Sequence, residues 1–359
     1  METIKIKFGM PLQSPFYKDI KDRTEEYFVS RSYSRKANSA MILKLLIIAT
    51  LFFGSYALLL SNLINAAGMF GLALLFGFSM VLIAFNISHD ASHGALFRSP
   101  KLNTLFSYTF NLIGVNRYIW DIKHNLSHHA FTNVPGHDMD IEQVKIVRLV
   151  PAIKLKWFHR YQHIYAPALY PFASLYMIFI KDFQMFATKQ YGNSTFHDHP
   201  RKEYFILFIS KLFYFSYALV IPLIVIKLPW WQILIGFLLM HFVLGTMLAI
   251  ILFPVHALED SPFPEPDEEG IINNSWAIHQ VETSTNFGAN SRLLCWLCGG
   301  LNTHIVHHLF PSICHIHYYE LTKIIREGAR RHNIKFRDNS TAGALVSHLN
   351  FLKMMGRPS

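Results

Sequence analysis

The sequence predicts an all-α membrane protein. Four transmembrane helices form two hairpins under a helical cytoplasmic cap, and the cap holds a histidine-ligated di-metal site. Three observations carry this expectation. Apolar residues gather into four long runs, almost all positive charge lies to one side of those runs, and histidines at helical spacing cluster on that same side.

Hydrophobic residues make up 52% of the 359 and charged residues 16%, against about 45–50% and about 25% in an ordinary soluble domain. This composition excludes a disordered or collagen-like chain, and three cysteines build no disulfide framework. The runs are 41–61 (MILKLLIIATLFFGSYALLLS), 66–88, 204–226 and 230–253, with Lys44 in the first and Lys211 in the third. Each reaches the roughly 20 residues that cross about 30 Å of hydrocarbon. Polar residues 1–40 precede the first run, so it is not expected to be a signal peptide. The outer links, 61–66 and 227–229, are very short. Apart from Lys44, Lys211 and Lys227, all 33 Lys and Arg residues lie on the other side. Positive segments stay cytoplasmic, which puts both termini and the large polar regions there. The formal charge of +10 is then chiefly a topological mark with some attraction to anionic lipid. No nucleic-acid motif is present.

The remaining elements follow in order. Residues 1–40 form a short N-terminal segment with an amphipathic helix over 19–28. Residues 164–181 are apolar but interrupted by Pro167 and Pro171. They are expected to be interfacial or re-entrant, because a fifth crossing would put two Lys/Arg-rich regions on opposite sides. Residues 259–270 are an acidic, proline-rich loop and 318–335 a basic amphipathic helix. The main domain covers 41–330, and 331–359 form a cytoplasmic tail.

Of 20 histidines only His241 falls in a span; a neutral side chain hydrogen-bonded inside the bundle is its expected state. Three clusters stand out: HDASH with His89 and His93, HNLSHH with His124, His128 and His129, and HIVHH with His304, His307 and His308. Residues i, i+3 and i+4 share a helix face, so each cluster can aim its imidazoles at one point. Eight imidazoles exceed one four-coordinate zinc and suit two metals with open positions. Imidazole serves iron, copper, nickel and zinc alike, so the ligand type leaves the metal open. A bis-histidine haem would use histidines within the spans. Cys295 and Cys298 form a CxxC without a βαβ context, which reads as packing.

In order and placement these motifs resemble the three histidine boxes of the membrane-bound fatty-acid desaturase superfamily. The stretches 133–142 (NVPGHDMDIE), 275–288 (SWAIHQVETSTNFG) and 299–318 (GGLNTHIVHHLFPSICHIHY) resemble the bacterial acyl-lipid and linoleoyl-CoA desaturases, the group that includes the front-end enzymes. The resemblance implies a non-haem di-iron centre, O2 as oxidant and two electrons from a separate ferredoxin or cytochrome b5. The product is a cis double bond in a long acyl chain carried on a lipid or CoA. Box by box it implies His89, His93, His124, His128, His129, His304, His307 and His308 as ligands. A further histidine upstream of the third box matches His279 best, with His256 second. Front-end enzymes often have Gln and Glu where His304 and Val306 stand here, and many carry a fused cytochrome b5 domain, for which the 40 residues before the first span are too few. A bacterial plasma membrane with a cytoplasmic active site is the expected location.

Carboxylates orient ligating imidazoles through their second ring nitrogen; Asp90, Asp138, Asp140 and Glu282 are the candidates. His315 and His317 read as structural or supporting. An acyl chain gains about 0.8 kcal/mol per buried CH₂, so an apolar tunnel should lead to the metals. A related di-iron hydroxylase or ketolase, acting on an alkane, sphingolipid or carotenoid, would share the boxes and give an oxygenated product. The alternative from another class is a non-enzymatic haem or metal membrane protein.

Overall fold

Ser14 opens the first helix, α1 (Pro15–Ser30): its hydroxyl accepts the Tyr17 N–H at 3.3 Å, and Pro15 occupies the first turn. This is from a computed structural model that describes residues 6–11, 14–141, 145–188, 190–191, 194–195 and 198–358. Glu142, at the end of the stretch 133–142, lies outside the described residues. Asn38 caps α2 (Ser39–Leu60) and Asn65 caps the start of α3 (Ala66–Ser92), each by accepting a first-turn N–H. The two pack on each other. After them come α4 (Asp121–His128), α5 (Trp157–Ala187), α6 (Arg201–Val225) and α7 (Trp230–Leu252). The link after α2 meets the link after α6. Asn62 Nδ2 donates to the Val225 carbonyl at 3.0 Å, and the Lys227 N–H donates to Asn62 Oδ1 at 2.7 Å.

Among the described residues five helices are long and apolar enough to cross a membrane, one more than the four expected, the addition being α5. It is a broken rod. Pro167 interrupts it, Tyr170–Phe172 wind as a 3₁₀ turn and Met177–Lys181 as a π turn. Packing of α3, α5 and α7 depends on glycine. A Cβ on Gly77 would lie 2.4 Å from the Met240 carbonyl oxygen, and one on Gly245 2.2 Å from that of Pro171. Small residues of this kind let helices approach closely in lipid, where no hydrophobic force drives them together. The intramembrane cations are satisfied. Lys211 Nζ bonds Asp182 at 2.6 Å and the Gly114 carbonyl at 2.5 Å, while Lys44 Nζ bonds the Trp296 carbonyl at 2.5 Å and His315 at 2.9 Å.

The cap is built from α8 (Trp276–Thr283), α9 (His304–Leu309), α10 (Tyr318–Arg331) and α1. Phe16, Ile20, Ile305, Val306, Leu321 and Ile325 form its core, each gaining roughly 1.5–3 kcal/mol on full burial. The stretch 331–359 carries α11 (Thr341–Met355), with Phe351 and Leu352 fully buried. His348 on α11 ties it to the body through the Ala257 carbonyl at 2.8 Å and the Tyr170 hydroxyl at 2.5 Å. Strands among the described residues are two residues long, such as Lys7–Phe8 paired with Ile271–Ile272.

Candidate metal centre

The apolar run of α3 ends in a π turn, Ala84–Ser88, directly before His89. Gly299 seats the loop before α9 on this turn: its φ is +59°, and a Cβ there would lie 2.2 Å from the Phe85 carbonyl oxygen. The second cluster also sits on π-wound backbone, α4. Such turns recur at functional sites. Here they change which histidines face each other.

The imidazoles form two groups whose ligand nitrogens lie within 4.8 Å of one another. One holds His89, His93, His124 and His307; the other holds His128, His256, His304 and His308. His129 adjoins both, facing His307 and His308. Helical spacing led us to expect that each cluster converges on one point, and only HDASH does. In α4 the His129 N–H bonds the His124 carbonyl, an i→i+5 link, and the Nε2 atoms of these two rings lie 3.2 Å apart. His128 is thereby turned to the second group, 3.1 Å from His256 Nε2. On α9, His304 and His308 share one face while His307 points to the first group.

Five of the rings are anchored through Nδ1. His124 Nδ1 bonds Asp140 at 3.0 Å, His128 Nδ1 bonds Asp138 at 2.9 Å, and His256 Nδ1 bonds the Thr283 carbonyl at 3.1 Å. His304 Nδ1 bonds the Leu301 carbonyl at 3.2 Å and His308 Nδ1 bonds Gln280 Oε1 at 2.8 Å. A proton held at Nδ1 leaves the Nε2 lone pair for a metal. Six ring nitrogens are buried without a protein partner: His89 Nδ1, His93 Nε2, His129 Nδ1, His308 Nε2 and both of His307. Buried polar atoms are rarely orphaned, and these belong to the two groups and to His129 beside them.

Burial pushes His124 down to about 4 and His256 to about 3, and it holds His129, His304, His307 and His308 well below the usual histidine range. For His128 burial acts the same way, but the Asp138 carboxylate outweighs it and raises the ring. Burial opposes the charge of Asp140, yet Lys123 and His124 hold its carboxyl well below the ordinary range. Neutral imidazoles are the form that binds metal, so both groups are compatible with metal ions.

The other candidates lie apart. His279 is not in either group; its Nε2 bonds the Thr132 carbonyl at 2.9 Å, and Phe8 packs on its ring at 5.2 Å. His256, which the sequence ranks second, lies with His128, His304 and His308 in the second group. Glu282 bonds Asn274 at 2.8 Å rather than an imidazole. Asp90 bonds His315 Nδ1 at 2.8 Å, so it orients a histidine outside both groups. His317 meets the Tyr27 hydroxyl at 3.3 Å, and Cys295, Cys298 and Cys314 are free and buried. His241 is held by the Tyr214 hydroxyl at 2.8 Å and the Ser174 hydroxyl at 3.0 Å. Gln280 and Lys123 are not singled out by the sequence, where no spacing signal marks them.

A cavity of about 350 Å³ opens from the histidines. His89, His124, His128, His256 and His304 line one part of it, and Phe110, Ile113, Leu244, Leu248 and Leu301 form apolar walls. Exposed Ile146 and Phe172 stand at its rim. An apolar cavity that reaches two groups compatible with metal ions is suited to oxidising a hydrocarbon chain.

Comparison with known proteins agrees. The sequence profile of the family described as fatty acid desaturase matches residues 65–340. The chain belongs to that family. The desaturase is 31% identical to an sn-1 linoleoyl-lipid 6-desaturase of Synechocystis sp., over 99% of each chain. It is 32% identical to an sn-1 linoleoyl-lipid 6-desaturase of Arthrospira platensis, over 98% of this chain and 95% of that one. It is 31% identical to an acyl-lipid (8-3)-desaturase of Physcomitrium patens, over 95% of this chain and 72% of that one. The protein is thus an integral membrane oxidoreductase that desaturates fatty-acyl chains.

Proposed function

We propose that the desaturase acts on a lipid-linked acyl chain at a pair of non-haem irons. His89, His93, His124 and His307 would hold one, and His128, His256, His304 and His308 the other, with His129 beside both. The carrying observation is that members of both four-histidine groups, His89 and His124 of one and His128, His256 and His304 of the other, line the same apolar cavity. When bound, the iron pair supplies the oxidant that removes hydrogen from unactivated C–H bonds. The reaction balances as CH₂–CH₂ + O₂ + 2e⁻ + 2H⁺ → CH=CH + 2H₂O, with a cis product and electrons from a separate ferredoxin or cytochrome b5. The chain's own part is to hold neutral imidazoles in register through Asp138, Asp140 and Gln280, to exclude water with Phe110, Leu244 and Leu248, and to admit the acyl chain past Ile146 and Phe172. A lipid carrier agrees with the relatives' names, linoleoyl-lipid and acyl-lipid, and with a rim of exposed apolar side chains.

The topology we propose has four crossings, with α5 entering and leaving on one side. Parity supports it. His128 precedes α5 and His256 follows α7, yet their rings are 3.1 Å apart. An even number of crossings therefore separates them, and α6 and α7 supply two. Ser174 of α5 reaches His241, eleven residues before Leu252 at the end of α7, a depth of about 16 Å at 1.5 Å per residue. The Lys/Arg distribution supports a cytoplasmic site, and a bacterial plasma membrane is the location we propose.

The test is the fatty-acid profile of a host that supplies an electron donor and expresses either the wild type or His308→Ala. A new species two mass units lighter, absent in the variant, is expected. A species sixteen units heavier would shift the assignment to a hydroxylase, and a Soret band in purified protein to a haem protein.

A further inference from the structure

Lys123 is the one cation among the described residues that line the cavity. The other polar groups of the wall are the histidines, Asp140, the Trp120 indole N–H, which is buried beside Lys123 without a partner, and the hydroxyls of Tyr170, Ser174 and Tyr176. Tyr170 and Ser174 are committed to His348 and His241, and Tyr176 donates to Gln184. Lys123 is buried. Its ammonium sits 4.8 Å above the Trp120 ring and pairs with Asp140, whose other oxygen bonds His124 Nδ1 at 3.0 Å. The pair is therefore rigid and directly linked to the first histidine group. Ile141, Ile146 and Val147 line the same cavity, and Ile146 is exposed.

An acyl chain carries a single strongly polar acceptor near the reacting carbons, the carbonyl that joins it to its carrier. In an apolar channel that oxygen settles where a donor is. An ammonium has three N–H donors, and the cavity wall holds this one with its carboxylate partner on one side and an indole face on the other. We propose that Lys123 binds the ester carbonyl of the lipid-linked acyl chain and so sets the position of the new double bond. The proposal rests on the desaturase reading above. With the carbonyl held there, the methyl end runs inward along Ile113, Leu244 and Leu248, and the head group stays at the rim. Only a few methylenes span from Lys123 to the histidines, because Asp140 alone lies between Lys123 and His124. The double bond then falls near the carboxyl end and is counted from that end whatever the chain length.

Two measurements on the iron-loaded enzyme in phospholipid vesicles test this. Phospholipids bearing acyl chains of three lengths are given to the wild type with a reduced electron donor, and the double bond is located by mass spectrometry. A constant count from the carboxyl carbon is expected; a constant count from the methyl end overturns the proposal. In the second, Lys123→Met is compared with Lys123→Gln, which keeps an N–H donor. We expect Lys123→Met to scatter the double bond over neighbouring positions and to raise the apparent KM about tenfold with iron content unchanged, while Lys123→Gln keeps a single position. A Lys123→Met enzyme with the wild-type position and KM overturns the proposal. If that variant loses its iron, the chain-length series decides alone. A wild type that makes no double bond in any lipid refutes the desaturase reading itself.

Discussion

Replacing His256 or His279 by alanine tests which of them belongs to the metal centre. His256 Nε2 lies 2.7 Å from His304 Nε2 and 3.1 Å from His128 Nε2, and its other nitrogen is held by the Thr283 carbonyl. Its loss leaves the second group with three imidazoles. Loss of an outer-shell partner alone typically costs 10–100-fold in metal affinity, so removing a direct ligand should cost at least that. His256→Ala is therefore expected to retain about one iron per chain instead of two and to make no double bond. His279 instead donates to the Thr132 carbonyl. Removing a buried donor leaves that acceptor unpaired, at about 1–3 kcal/mol. His279→Ala should unfold at a lower temperature but keep both irons. The assay is iron per chain by plasma mass spectrometry, alongside the thermal midpoint and the fatty-acid product. Iron lost from His279→Ala and retained in His256→Ala would refute the assignment.

Three further predictions follow from the same geometry. Asp138→Asn keeps one acceptor but loses the charge that faces His128 Nδ1 at 2.9 Å, so iron affinity should fall 10–100-fold in a chelator competition, with the fold retained. For the metal-free protein, His124 and His279 titrate at about 4 and His256 at about 3 when folded, against roughly 6.5 in an unfolded chain. Between those values the unfolded chain binds protons that the native state does not, so stability falls as pH drops below 6.5, by up to about 1.4 kcal/mol per unit per histidine. It is unaffected by these groups above that pH, and a thermal midpoint that stays flat from pH 7 to pH 5 would contradict this. For the topology, cysteines placed at Asn62 and Lys227 should react with an impermeant reagent from the side opposite to cysteines at Lys154 and Thr188; labelling of 154 and 188 from opposite sides would mean that α5 crosses.

The four long apolar runs and three histidine clusters are local patterns, and they were legible as such. Hydrophobic length marks a span whatever surrounds it, and HDASH, HNLSHH and HIVHH announce metal chemistry by composition and spacing. Charge placement argues against a crossing at 164–181, while the structure puts that stretch, with Pro167 and Pro171, in a broken helix long and apolar enough to cross. What spacing could not convey was how the clusters share their ligands. That depends on the π winding of α4, which turns His124 toward His129 and His128 toward His256, and a winding one residue wider per turn leaves no mark in composition. The same holds for His256 against His279. Both follow the fourth apolar run, and only the packing of α8 against the loop after α4 turns one ring to a carbonyl and leaves the other facing His304. The stretch after 331 reads as a tail because its mixed polarity has no span signal; in the structure Phe351 and His348 lock α11 beneath the cavity wall. Sequence alone thus determined the class of chemistry and that it belongs to a membrane protein. Which imidazoles group together, and where Lys123 sits against the cavity, was decided by contacts between residues far apart in the chain, because burial and ring orientation are properties of the packed molecule.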